Sequence, residues 1–136
     1  MAKRYSQTKR RSAIINVSSI AGTIPMPYYN IYSATKSYVD ILSRSLTYEY
    51  PSVDLLSLRP SEVSTPMTFN KDVDIFTITA EQCAEGLVDQ IGQRETATYG
   101  HWRHQLQGWL YESVPEGFFN YIFKNFVAPA DMKHRE

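Results

Sequence analysis

The feature that most constrains this chain is a strict alternation of apolar patterns. Ala13-Ile14-Ile15-Asn16-Val17 is short and β-branched, and it ends at Ser18-Ser19 and Gly22. It reads as a buried strand running into a loop. Pro25 and Pro27 keep the next stretch a loop. From about Asn30 to Tyr48 the period changes: Ile31, Ala34, Tyr38, Ile41, Leu42, Ser45 and Leu46 recur at helical spacing and predict one apolar helix face. Pro51 stops that helix. Val53-Asp54-Leu55-Leu56-Ser57-Leu58, closed by Pro60, predicts a second strand. Residues 61–78 read mostly as loop, with a short helix after Pro66. Thr79-Ala80-Glu81-Gln82 is a capping-box sequence. Behind it, Ala80, Cys83, Ala84, Leu87, Val88 and Ile91 mark one face of a helix that Gly92 ends. Thr96 to Tyr99 predicts a third strand. Strand, helix, strand, helix, strand implies parallel strands joined by right-handed crossovers, an α/β architecture.

A chain of 136 residues makes one domain at most. Its sequence divides into a basic leader (1–11), an α/β segment (12–100) and a helical tail (101–136). The formal charge is zero, so bulk electrostatics suggest no nucleic-acid partner. Lys3, Arg4, Lys9, Arg10 and Arg11 cluster without an acid among them, and a solvated segment is the expectation for them. Cys83 is the single cysteine, which excludes an internal disulfide and a cysteine-based zinc site and is compatible with the cytoplasm. No apolar run precedes Ala13, so neither a signal peptide nor an anchor is expected. No stretch reaches the roughly 18–20 apolar residues of a spanning helix. Asn16-Val17-Ser18 matches a glycosylation sequon but lies on a predicted strand, where an acceptor would not be exposed.

The tail is aromatic. Trp102, Leu106, Trp109 and Leu110 fall on one helix face, and Phe118, Phe119, Ile122, Phe123 and Phe126 fill a second helix after a break near Pro115. Glu112, Glu116 and Lys124 interrupt the apolar run. The tail is therefore a core or subunit-contact surface, or a contact with a membrane surface, and the sequence leaves both open.

Chemistry enters with Tyr32 and Lys36. Residues four apart are neighbours on one helix face. An ammonium beside a phenol favours the phenolate, and a tyrosine tuned in this way works as a general acid or base. Spacing alone is weak evidence, because the chain has ten tyrosines and Tyr5 and Lys9 show the same spacing in the leader. Context separates the two pairs. Ser19 closes the strand before Tyr32, and a strand end, its loop and the next helix start meet at the edge where α/β folds bind ligands. A serine hydroxyl there can donate to a substrate oxygen and hold it against the tyrosine. His101 and His104 lack a nearby third ligand, so no metal site is expected; packing or hydrogen bonding suits them better. Glu62 reads as a solvated loop carboxylate.

Asn16-Val17-Ser18-Ser19-Ile20-Ala21-Gly22, Tyr32-Ser33-Ala34-Thr35-Lys36 and Arg59-Pro60-Ser61-Glu62-Val63-Ser64-Thr65 resemble successive motifs of the short-chain dehydrogenase/reductase superfamily, in order and spacing. The resemblance covers nearly the whole chain and implies the C-terminal half of a Rossmann-type doubly wound parallel sheet. The runs Tyr32 to Asp40, Glu62 to Met67 and Thr98 to Trp102 are most similar to the very-long-chain 3-oxoacyl-CoA reductases, the 17β-hydroxysteroid dehydrogenase type 12 group of lipid metabolism and fatty acid elongation. That resemblance implies an NADP(H) cofactor, a ketone or acyl-CoA substrate, and a place at the endoplasmic reticulum membrane. It implies that Tyr32 gives the proton to the carbonyl, that Lys36 binds the nicotinamide ribose, and that Ser19 orients the carbonyl. Pro60, the Val63 backbone and the Thr65 hydroxyl would meet the nicotinamide end. Where the family often has glycine after the proline this chain has Ser61, whose Cβ is expected to alter the loop's backbone angles.

The family's glycine-rich turn, which seats the pyrophosphate on a helix N-terminus, has no counterpart here: Gly22, Gly86, Gly92, Gly100, Gly108 and Gly117 are all isolated. The expectation is a catalytic half that is inactive alone, with an open edge on the strand at 13–17. The alternative is a non-catalytic truncated homologue, or a gene-model fragment, acting as a homo-oligomer or by pairing with a full-length homologue.

Overall fold

The computed structural model describes residues 12–93 and 95–128. In chain order these form β1 (Ala13–Val17), a 3-10 turn (Ile20–Gly22), α1 (Asn30–Glu49), β2 (Asp54–Leu58), β3 (Val63–Ser64), a 3-10 turn (Pro66–Thr68), β4 (Ile78–Thr79) and α2 (Ala80–Val88). Then follow β5 (Ala97–Thr98), α3 (Trp102–Ser113), α4 (Glu116–Ile122) and a π-helical turn (Phe123–Val127). The leader falls outside the described residues.

β1, β2 and β5 make one parallel sheet with β2 in the middle. The register runs from Ala13 opposite Asp54 to Val17 opposite Leu58, and Leu58 faces Thr98 on the other side. The α/β architecture is therefore as the alternation implies. β2 has neighbours on both sides and is buried, Leu55, Leu56, Ser57 and Leu58 included. β1 differs from its reading as a buried strand. Among the described residues it pairs with β2 alone, and it is half-buried, with Val17 exposed. Leu58, Ile78 and Cys83 form a core against which Ile15, Val63 and Leu87 pack.

Helix α1 corrects the sequence reading most sharply. Ile31, Tyr38 and Ile41 of the expected core face are 77%, 67% and 58% exposed, and the side chains it buries are Ser33, Asp40 and Ser43. The reason is how closely the helix approaches the sheet. The Ser18 hydroxyl donates to the Lys36 carbonyl at 2.7 Å, and a Cβ on Gly22 would stand 2.8 Å from the Lys36 carbonyl carbon. Asn16 donates from Nδ2 to the Ser43 hydroxyl at 2.9 Å, which ties the side chain of the sequon inward. Leucine or isoleucine on this face would hold the helix too far away for such contacts.

The segment read mostly as loop contains a second small parallel pair, Val63 opposite Ile78 and Ser64 opposite Thr79, with the short helical turn after Pro66. The capping box forms as written: Thr79 Oγ1 accepts from the Gln82 amide at 3.1 Å and Gln82 Oε1 from the Thr79 amide at 3.1 Å, a cap worth about 1 kcal/mol. The helix behind it ends at Val88, earlier than expected, and Gly92 takes a left-handed φ of 82° in the following turn. In α3 the apolar residues again face outward. Trp102, Leu106, Trp109 and Leu110 are exposed while His104, Gln107 and Gly108 are buried. Gly108 is needed there, since a Cβ would lie 2.2 Å from the Tyr99 ring. Among the described residues no helix is long and apolar enough to cross a membrane.

Candidate active site

At the C-terminal ends of β1 and β2, two loops meet the first turns of α1. The Ser18 amide donates to the Leu58 carbonyl at 2.7 Å, extending the β1–β2 ladder, and the Ile20 amide donates to the Pro60 carbonyl at 3.0 Å. Ser19 sits between them, buried, as the N-cap of the Ile20–Gly22 turn. Its Oγ accepts from the Ala21 amide at 3.2 Å, and this leaves the hydroxyl proton to donate elsewhere.

Helix α1 brings Tyr32 and Lys36 to the same place. The turn at Gly22 rests against the Lys36 backbone, so the Ser19 loop and the Lys36 turn are fixed together. The Lys36 ammonium reaches back over the end of β1 and donates to the Val17 carbonyl at 3.0 Å. An ammonium has three N–H donors, so it keeps capacity for another acceptor. Its Nζ lies 5.7 Å from the centroid of the Tyr32 ring. Tyr32 is half-buried. Edge-on to it stands Tyr29, at 6.5 Å between centroids, and a row of rings continues through Phe123 at 6.0 Å to Phe119 at 5.7 Å and Tyr111 at 5.1 Å. The aromatic tail thus reaches the tyrosine.

A buried ion pair lies beneath. Arg59 donates from Nε and Nη2 to the two carboxylate oxygens of Asp40, both at 2.7 Å, and the Ser57 hydroxyl adds a third bond at 2.7 Å. Burial pushes the Asp40 carboxyl up, but the bonds from Arg59 and Ser57 and the charges of Arg59 and Arg44 outweigh it and hold the group below the usual carboxylate range. Arg59 also lies over the Tyr99 ring, whose hydroxyl donates to Glu112 at 2.6 Å. Burial and then the Glu112 carboxylate push that phenol up to about 12. Because Asp40 is on α1 and Arg59 opens the Pro60 loop, the pair joins the two halves of the site.

The Pro60–Thr65 loop is fastened differently. The Ser61 amide donates to Nδ1 of His104 at 3.3 Å, and Nε2 of the same ring lies 3.2 Å from the Glu62 carbonyl. Further on, the Thr68 hydroxyl donates to the Val63 carbonyl at 2.6 Å and accepts from the Thr65 amide at 3.0 Å. Pro60 therefore touches the Ser19 turn directly, while Val63 and Thr65 are tied in along the loop. Ser61 is absent from the residues with left-handed backbone, which are Tyr28, Phe69 and Asn70 besides glycines. The serine therefore takes no left-handed conformation. Glu62 is half-exposed, ion-paired with Lys71 and hydrogen-bonded by Thr77. His101 caps α3, accepting from the Arg103 amide at 3.2 Å. No cluster of His, Cys, Asp or Glu that could hold a metal ion occurs among the described residues.

A sequence model of the family described as short chain dehydrogenase matches residues 1–74. The chain belongs to that family. The chain is 33% identical to the 17-beta-hydroxysteroid dehydrogenase type 3 of Danio rerio, over 93% of the chain and 43% of that relative. It is 31% identical to the very-long-chain 3-oxoacyl-CoA reductase of Macaca fascicularis, over 86% of the chain and 38% of the relative. It thus spans less than half the length of either. A solved structure from work on 7beta-hydroxysteroid dehydrogenase stereoselectivity superposes with a TM-score of 0.74 at 19% identity, over 90% of this chain and 51% of that one. The 3-ketoacyl-(acyl-carrier-protein) reductase of Brucella melitensis, complexed with NADH, gives 0.58 at 20% identity, over 73% and 44%. These likenesses show the fold.

Sequence reasoning missed three contributors. Asp40 enters the sequence reading only as the end of a motif run, Ser18 only as a strand end, and His104 without a link to the loop. Arg-x-x-x with an acid on the preceding helix is no recognisable signal, and nothing local joins His104 to a serine 43 residues earlier.

Proposed function

We propose that this chain carries the proton-donating and nicotinamide-end half of an NADP(H)-dependent ketone reductase. The observation that supports this best is the Lys36 ammonium, held over the end of β1 with the Tyr32 ring beside it and the Ser19 turn packed on the same helical turn. The residues present fit the nicotinamide and ribose end of the cofactor. Lys36 keeps free donors for ribose hydroxyls, and the Val63–Thr65 segment offers backbone groups and a hydroxyl for a carboxamide. They do not fit a pyrophosphate, because none of the six glycines makes a glycine-rich turn.

In this reading a bound reduced nicotinamide supplies the hydride. Ser19 donates its hydroxyl hydrogen to the carbonyl oxygen and fixes the substrate. Tyr32 holds the proton that passes to that oxygen, which becomes the alcohol, and Lys36 stabilises the phenolate left behind. The row Tyr29, Phe123, Phe119 favours an apolar ketone, such as a 3-oxoacyl thioester or a ketosteroid, as do the similar proteins.

Reduced nicotinamide mononucleotide, the half-cofactor without adenine, tests the reading in NMR titration of the purified chain. Weak saturable shifts at Tyr32, Lys36 and Val63, lost in Lys36→Ala, are expected, with no NADPH oxidation in the presence of a 3-oxoacyl-CoA. Shifts that ignore Lys36→Ala overturn the assignment, and saturable turnover overturns the expectation of inactivity.

The exposed row Ile31, Tyr38, Ile41 and Leu42 favours a second role, pairing through α1 with another copy or with a full-length homologue. Sedimentation equilibrium is expected to show a dimer that Ile41→Lys dissociates; a monomer at all concentrations excludes self-pairing.

A further inference from the structure

We propose that His104 is a positioning residue for the proposed nicotinamide site: its ring clamps the Ser61 and Glu62 peptide groups and so sets where Val63 and Thr65 stand relative to Lys36. This rests on the nicotinamide reading of the loop given above.

The geometry fixes the ring's proton. Ser61 N–H points at Nδ1, which must therefore carry a lone pair. The proton sits on Nε2, which donates to the Glu62 carbonyl. That carbonyl also accepts from the Ile78 amide at 3.2 Å, so the ring fastens the point where the loop joins the small sheet. His104 is wholly buried, and its helix is registered against the same region by Gln107, which donates to the Phe76 carbonyl at 3.1 Å, and by Arg103, which donates to the Asp74 carbonyl at 3.0 Å. The clamp is thus made from α3 onto the loop just ahead of its Val63–Ser64 pairing.

The Ser61 bond requires the neutral ring, because Nδ1 accepts only with its lone pair free, whereas Nε2 donates to the Glu62 carbonyl in either state. Protonation would place an N–H at Nδ1 against the Ser61 N–H and break the Ser61 side of the clamp. Burial holds the imidazole below its ordinary range, and His101 on the same helix acts in the same direction. The Glu62 and Phe76 carbonyls and the Glu62 carboxylate oppose it. That carboxylate is shared with Lys71, and the neighbouring Arg103 adds positive charge on the α3 side. The Ser61 side of the clamp is therefore closed at neutral pH and opens in acid.

Hydrogen exchange of the full chain, read amide by amide as protection factors, tests this without cofactor. His104→Phe should lower protection at Ser61 and Ile78 by about tenfold, the worth of one net hydrogen bond of this kind, while Leu56 and Ser57 in β2 stay protected. His104→Asn keeps an acceptor toward Ser61, and His104→Gln keeps a donor toward Glu62; each should rescue its own side. In the wild type the Ser61 protection should fall as the pH drops below the ordinary histidine range, and in His104→Asn and His104→Gln it should not. Uniform loss across β2 and the loop, unchanged protection at Ser61, or a flat pH profile in the wild type each overturns the proposal. Titration with reduced nicotinamide mononucleotide forms the second arm. Weaker binding in His104→Phe than in wild type is expected, and equal binding overturns the positioning role. If the wild type binds none while the exchange results hold, the nicotinamide reading fails and the clamp stands.

Discussion

The Ser19 turn and the Pro60–Thr65 loop leave adjacent strand ends at the same sheet edge, yet they are held in contrasting ways. The Ser19 turn is fixed by short-range means. Gly22 lies on the Lys36 backbone, Ser18 bonds the Lys36 carbonyl, and these contacts span fewer than twenty residues of sequence. The Pro60 loop, besides its bonds to the Ser19 turn and the small sheet, is fastened at Ser61 and Glu62 by a buried ring from α3, 43 residues away from Ser61. A turn built on neighbouring backbone needs small residues at set spacing. A loop clamped from a distance needs only that one side chain arrive. The first kind of device is written in a motif, and the second appears only in the folded chain.

Asp40 and Arg59 bridge the two and give the largest effect. Their side chains are 5% and 13% exposed. Asp40→Ala leaves Arg59 and Ser57 without their partner and should cost about 3–5 kcal/mol in urea unfolding. It should loosen both loops at once. Loss of protection in one loop alone would show that the pair is not the bridge.

Gly22→Ala comes next. A Cβ there meets the Lys36 carbonyl carbon at 2.8 Å and the Ser37 amide nitrogen at 2.9 Å, backbone on both counts. A cost of about 1–3 kcal/mol is expected, with exchange rising at Ala21 and Thr23 but not at Ser61. Equal change at Ser61 would erase the contrast between the loops.

The smallest effect lies in acid titration. The Asp40 carboxyl is held below its ordinary value of 3.8 in the folded chain. Its contribution is whole above that value and is lost as the pH falls through the lowered folded value. The difference in urea midpoint between wild type and Asp40→Asn should shrink over that acid window. A difference that is constant with pH would mean that the bridge acts through shape rather than charge.

How much was legible follows the same division. The strand runs of the main sheet, the stop at Pro51, the capping box at Thr79 and the Tyr32–Lys36 spacing all depend on neighbours in sequence, and each could be read. The faces of α1 and α3 could not. Ile31, Tyr38 and Ile41 look like a core stripe because helical spacing reports that a face is apolar, not which way it points. The buried face is instead chosen by how near the strand comes, and Ser33, Asp40 and Ser43 admit the closer approach. Asp40 was overlooked for a related reason: a carboxylate belongs in a core only when its partners are known, and Arg59 and Ser57 lie on another element.

By itself, then, the sequence determined the three strands of the main sheet, the helices between them and their parallel order, and it singled out the serine, tyrosine and lysine of the proposed site. These rest on short-range patterning and on motif spacing. The tertiary structure alone decided which helix faces are buried, that Asp40 and Arg59 join the halves of the site, and that His104 reaches the Pro60 loop. Those features depend on distances between elements far apart in the chain, and no local pattern encodes such distances.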